Sequence, residues 1–320
     1  MTTSRFAWGT LALTVAVIAW GAFVRASGSG AGCGAHWPLC NGEVIPRPEA
    51  VETAIELTHR ASSGLALLAV VALALLVFRR SSPGAPQRRA AAAAVVLMVT
   101  EAAIGAGLVL LELVADNASA ARAYWMAGHL LNTFLLLAAL AATAWWTGPG
   151  AGPARASVPP SAKLAAGAML ALVLLVGASG GVAALGDTLY PVSSLGEGIR
   201  QDFAPGSALL VRLRALHPLL ALIVGTILVV AVPVVGRRAG GRLTGPLVRA
   251  VVLLVVAQIG AGVVNLLLLA PIWMQILHLV LADALWVSLV LFALSLAAPV
   301  RGTPVARKGR LDGVPAVGAR

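Results

Sequence analysis

Eight stretches of this chain are each apolar over about twenty residues: roughly 7–27, 56–78, 90–113, 124–147, 163–185, 208–235, 246–269 and 272–299. A helix needs roughly 20 mostly apolar residues to cross the hydrocarbon of a bilayer, so each stretch reads as a membrane span. Backbone in lipid must satisfy its own hydrogen bonds, which restricts spanning structures to helices and closed barrels. No stretch alternates as a barrel strand does. The expected fold is all-α, a polytopic membrane protein of eight transmembrane helices. A content of 59% hydrophobic and 11% charged residues excludes an ordinary soluble domain.

The formal net charge is +11, but its placement argues against nucleic acid. With a cytoplasmic N-terminus, sixteen of the 23 lysines and arginines fall in cytoplasmic segments, among them Arg79, Arg80, Arg88, Arg89, Arg237 and Arg238. That is the positive-inside pattern. It places both termini in the cytoplasm and the protein in the cell membrane. The basic tail, 301–320, has no interleaved aromatic residues and reads as a solvated end. Met1–Gly30 has the outline of a signal peptide; it is read as retained, because it has a counterpart later in the chain.

The chain is a duplication. "EAAIGAGLVLLEL" in the third span matches "AQIGAGVVNLLLL" in the seventh. "WMAGHLLNTFLLLAAL" in the fourth matches "WMQILHLVLADALWVSL" in the eighth, and "IELTHRASSGLALL" in the second corresponds to "RLRALHPLLALIVG" in the sixth. Two pseudo-symmetric four-helix bundles follow, at 1–150 and 151–300, joined by a Pro/Gly-rich linker near 148–162. Four helices per repeat is an even number, so the halves run parallel, unlike the inverted repeats common in transporters. That argues against a transporter with a histidine proton relay.

Each half carries one histidine on its second span and one on its fourth: His59 and His129, then His217 and His278. Ionisable residues inside spans are costly and default to functional sites. Imidazole is a common axial ligand of haem iron, and four matched histidines suffice for two haems near the outer face. Gly105, Gly107, Gly260 and Gly262 supply the close helix approach that such sites need. His36 has no counterpart and reads as a loop residue.

The halves differ in one respect. Three residues before His59 stands Glu56; three before His217 stands Arg214. Residues i and i+3 share a helix face. A guanidinium suits haem propionates; a carboxylate suits proton transfer or stabilisation of a developing cation. The expectation is an N-terminal site where chemistry happens and a C-terminal site for electron transfer. Arg25, Arg60 and Arg212 are further outer cations that fit propionates or lipid headgroups. Glu101 and Asp283 lie within spans without an assigned role. Cys33 and Cys40 share the first outside loop, where an oxidising exterior permits a disulfide; whether it is structural or redox-active stays open.

"VRASGSGAGCGAHWPLCNGEVIP" followed by "IELTHRASSGLALL" resembles the haem A synthase family, as do "ALGDTLYP" and "LRALHPLLA" in the second half. The resemblance covers residues 5–298. It implies oxidation of the C8 methyl group of haem O to a formyl group, by two hydroxylations and loss of water. It implies a resident haem b at His217 and His278, substrate haem at His59 and His129, and a catalytic role for Glu56. It implies haem O as substrate, with haem O synthase and terminal oxidase assembly factors as partners; a homo-oligomer is compatible with it. Cys33 and Cys40 match the family's loop pair, while "GDTLYPVSSLGEGIRQDF" lacks the second pair that some members carry. The competing reading from the histidines alone is a di-haem b electron carrier, quinol-linked, that leaves its haems unmodified.

Overall fold

The computed structural model describes residues 2–47, 50–148, 158–239 and 244–297. The tail at 301–320 and most of the 148–162 linker lie outside the described residues. Eight long helices are present: α1 (Thr3–Ala26), α2 (Val51–Arg80), α3 (Pro86–Leu110), α4 (Ala120–Thr147), α5 (Pro160–Leu189), α7 (Leu209–Ala239), α8 (Thr244–Leu267) and α9 (Ile272–Ala297). All eight are long and apolar enough to cross a membrane, and no strand is formed among the described residues. The protein is an all-α, multi-pass membrane protein.

Several helices outrun the apolar stretches that announced them. α2 begins at Val51, so a polar turn with Glu52 and Thr53 precedes the apolar run. α3 and α5 begin at Pro86 and Pro160, where a missing N–H costs nothing because first-turn donors have no helical partner. Ser119 caps α4 by accepting the Arg122 N–H at 3.3 Å. Among the described residues a ninth α-helix, α6 (Leu195–Phe203), was not expected. It is short and amphipathic, with Leu195, Ile199 and Phe203 exposed.

α1 packs on α2 and α4, α2 on α3, and α3 on α4. In the second half α5 packs on α7 and α9, α7 on α8, and α8 on α9. The two rings meet where α4 touches α5 and α9, and where α1 touches α9. One apolar core runs across that seam. Phe134 of α4 stacks on Trp286 of α9 with ring centroids 5.4 Å apart. The Trp286 indole N–H donates to the Phe134 carbonyl at 2.6 Å, so the one polar atom of this large side chain is satisfied. Truncating such a residue costs about 3–5 kcal/mol. Leu68, Leu164 and Leu253 are exposed on the outside of the assembly, as lipid-facing positions should be.

Candidate functional site

The four histidines lie toward one end of the bundle, and none faces outward freely. His59 and His217 stand at equal distances from the start of α2 and α7. Each presses its ring edge on a glycine of the preceding span. A Cβ at Gly21 would lie 2.8 Å from Cε1 of His59, and one at Gly180 would lie 2.9 Å from Cε1 of His217. Only glycine allows that approach. The same kind of glycine wall therefore stands behind both imidazoles. On the other side, His129 approaches Gly105 and His278 approaches Gly262. Gly107 is instead covered by the Trp125 ring, and Gly260 meets nothing within 4 Å.

The C-terminal pair has the spacing that a bis-imidazole centre requires. The His217 and His278 ring centroids are 6.4 Å apart, with the rings at 89°. Imidazole–metal bonds of about 2 Å on both sides of one ion separate two ring centroids by roughly 6 Å. The Ser179 hydroxyl donates to the Val176 carbonyl at 2.8 Å. Its oxygen therefore accepts from Nδ1–H of His217 at 3.0 Å. That leaves the Nε2 lone pair for a metal, as an outer partner fixes the tautomer in metal sites. Nε2 of His278 takes the Gln258 amide at 3.2 Å, and its Nδ1 is buried without a partner. A metal at Nε2 of His278 would have to displace the Gln258 amide.

In the N-terminal half, Nδ1 atoms of His59 and His129 are likewise buried without a hydrogen-bond partner. Nδ1 of His129 stands 3.4 Å from the Glu101 carboxylate. Glu101 is gripped by α4: the Asn132 amide donates to Oε2 at 2.6 Å, and the Thr133 hydroxyl donates to Oε1. Spacing alone gave Glu101 no role; the structure brings it to a histidine.

Glu56 is buried beside the first loop rather than free at a helix end. Its Oε2 accepts the Cys33 backbone N–H at 2.8 Å, and its Oε1 pairs with Arg60 at 2.5 Å. Arg60 also donates to the carbonyls of His36 and Leu39, at 2.7 and 2.5 Å. Cys33 and Cys40 form a disulfide, and the turn after Cys40 is closed by Asn41 and Gly42, both at positive φ. The loop, the disulfide and the carboxylate are thus one hydrogen-bonded unit on α2. His36 contributes a carbonyl to it, in keeping with its reading as a loop residue.

Of the four candidate propionate cations, Arg214 and Arg25, like Arg60, are engaged by protein oxygens. Arg214 pairs with Asp202 at 2.5 Å and Asp187 at 3.4 Å, and donates to Gln201 and the Tyr190 carbonyl. Arg25 crosses the seam, donating to the Ala184 carbonyl, to Thr188 at 2.6 Å and to Gln275 at 2.8 Å. Arg212 is exposed. Asp283 is buried in α9 with neither oxygen partnered among the described residues. Sequence reasoning missed Gly21, Gly180, Ser179 and Gln258. Their only signal was their place in the repeat: Gly21 and Gly180 precede the matched histidines by nearly the same interval.

The family model described as cytochrome oxidase assembly protein matches residues 4–290. A protohaem IX farnesyltransferase of Thermus thermophilus is 51% identical over 261 residues, covering 82% of this chain and 43% of that protein. A haem A synthase of Halalkalibacterium halodurans is 37% identical over 127 residues, 40% of this chain and 42% of that protein. One of Alkalihalophilus pseudofirmus is 50% identical over 64 residues, 20% of this chain and 22% of that protein. The chain spans less than half the length of these curated relatives. With nearly every span inside the matched region, the chain belongs to the cytochrome oxidase assembly protein family that includes the haem A synthases.

Proposed function

We propose that this protein is a haem A synthase, oxidising the C8 methyl group of haem O to a formyl group through two successive hydroxylations, and that its two halves divide the work. The observation that carries the reading is a pair of matched histidine sites in unlike surroundings. Glu56 lies one turn from His59, and Arg214 lies one turn from His217. His59 and His129 hold the iron of the substrate haem. His217 and His278 hold a haem b, which supplies one-electron transfer when bound.

Glu56 acts at the reacting methyl carbon, taking up its proton or stabilising positive charge there. Both of its oxygens are held, by Arg60 and by the Cys33 N–H, so proton uptake occurs on a carboxylate of fixed orientation. Ser179 keeps the Nε2 lone pair of His217 free by accepting at Nδ1. Arg25 keeps two N–H donors free for a propionate, whereas all five of Arg214 go to protein oxygens, so a propionate at Arg214 would have to displace one of them.

The sites face the outer side of the cell membrane, with both termini cytoplasmic, as the charge distribution supports. The Thermus relative is named for farnesyl transfer to protohaem IX, which supports a haem O synthase as the neighbour that delivers substrate. The family description supports terminal oxidase assembly factors as recipients of the product.

The test is haem extraction from a host that makes haem O, with and without this chain. Haem A or its hydroxylated precursor is expected only with the chain. Recovery of haem b alone, in two equal portions, would instead identify a di-haem electron carrier.

A further inference from the structure

The two halves differ behind their histidines as well as beside them. Nδ1 of His217 meets a neutral hydroxyl, that of Ser179, and Nδ1 of His278 meets nothing among the described residues. Nδ1 of His129 faces a carboxylate, that of Glu101, at 3.4 Å. In the alignment set by the two IGAG segments, Glu101 corresponds to Val256, an apolar residue. The carboxylate is therefore a feature of one half alone.

A carboxylate inside a span is expensive, and this one is held by design. Asn132 and Thr133, on the turn of α4 that follows His129, donate to its two oxygens. Asn132 also donates to the Leu97 carbonyl at 2.8 Å, tying α4 to α3 at this level. Thr133 further contacts the His129 carbonyl at 2.9 Å. The carboxylate is thus held beside the ring by residues of the histidine's own helix, without a hydrogen bond to Nδ1. A separation of 3.4 Å is long for a hydrogen bond, and such contacts tighten when the ligand side is loaded.

A carboxylate on the outer nitrogen of a metal-bound imidazole fixes ring orientation and raises the ligand's basicity. A more basic axial ligand stabilises the higher oxidation states of iron, and outer hydrogen bonding is one of the levers that set haem potential. We propose that Glu101 is a positioning residue for the substrate haem: it orients His129 through Nδ1 and makes the N-terminal iron the more readily oxidised of the two. The proposal rests on the reading that His129 ligates that iron.

The test is an anaerobic optical redox titration of the full chain loaded with haem O and haem b. Glu101→Gln keeps an acceptor for Asn132 and Thr133 while removing the charge. It raises the midpoint potential of the N-terminal haem and leaves that of the other unchanged, and Glu101→Asp restores most of the shift. Thr133→Val, nearly isosteric, removes a competing donor and shifts the same potential downward. An unmoved N-terminal potential in either variant overturns the proposal, as does an equal shift at both haems. If Glu101→Gln does not accumulate with haem, Thr133→Val decides alone. Loss of one haem in His129→Ala with no shift in the Glu101 and Thr133 variants defeats only this inference. Both haem signals persisting in His129→Ala defeats the site reading beneath it.

Discussion

Glu56 accepts the backbone N–H of Cys33 at 2.8 Å, so the candidate catalytic carboxylate and the disulfide loop are mechanically continuous. The bond spans 23 residues of sequence, and Arg60 closes it from the other side through the carbonyls of His36 and Leu39. What happens to the loop is felt at the carboxylate.

Replacing both cysteines by serine tests that continuity. The bridge closes a short loop, worth about 2–3 kcal/mol in the chain-entropy description. The double variant is expected to have a lower Tm, an unchanged C-terminal haem spectrum and reduced haem A yield. Full haem A yield would uncouple the loop from the chemistry.

Glu56→Ala removes the carboxylate but no proposed iron ligand. General acid–base groups contribute about 10²–10⁴-fold, so product should fall by at least about 100-fold while the C-terminal haem remains. Haem content by pyridine haemochrome and product by chromatography separate the two effects. Loss of all haem would contradict the role assigned.

Arg60→Ala leaves a buried carboxylate with one fewer partner. Hydrogen bonds to charged groups contribute about 1.5–3 kcal/mol, and a thermal melt in detergent should show destabilisation of that order. A melt unchanged within error would mean that the Glu56–Arg60 contact contributes nothing to holding the loop.

Gly180→Ala places a methyl group 2.9 Å from the His217 ring and should cost the C-terminal haem its low-spin spectrum. Gly260→Ala, which meets nothing within 4 Å, is the matched control and should leave the spectrum intact. Equal behaviour of the two variants would refute the wall ascribed to Gly180.

Ser179→Ala removes the acceptor for Nδ1 of His217. Outer partners of metal-bound histidines are worth about 10–100-fold in affinity, so haem b should be lost faster on dilution into apomyoglobin. A wild-type rate of loss would remove Ser179 from the site.

Much of this arrangement was legible in the residues. The spans stand out because a bilayer demands about twenty apolar residues in a row, and the histidines stand out because spans rarely carry them. Helix ends were less legible: α2 starts five residues before its expected bound, at Val51, because a helix continues past the hydrocarbon where polar side chains are tolerated. Glycines were ambiguous, since any small residue in a span supports packing; contact geometry alone separates Gly21 and Gly180 from Gly260. The partners of Arg214 were hidden because Asp187 and Asp202 lie on other elements, the end of α5 and the unexpected α6. Glu101 was visible as a charge, but its target depended on how α3 and α4 pack.

The central claim is that two imidazole couples, one in each half, hold two separate irons. Haem content and low-temperature spectra of the four single variants His59→Ala, His129→Ala, His217→Ala and His278→Ala test it directly. The account predicts two classes: the first two variants lose one and the same haem signal, and the last two lose the other. Four variants with wild-type spectra, or losses that pair a histidine of one half with one of the other, would contradict it.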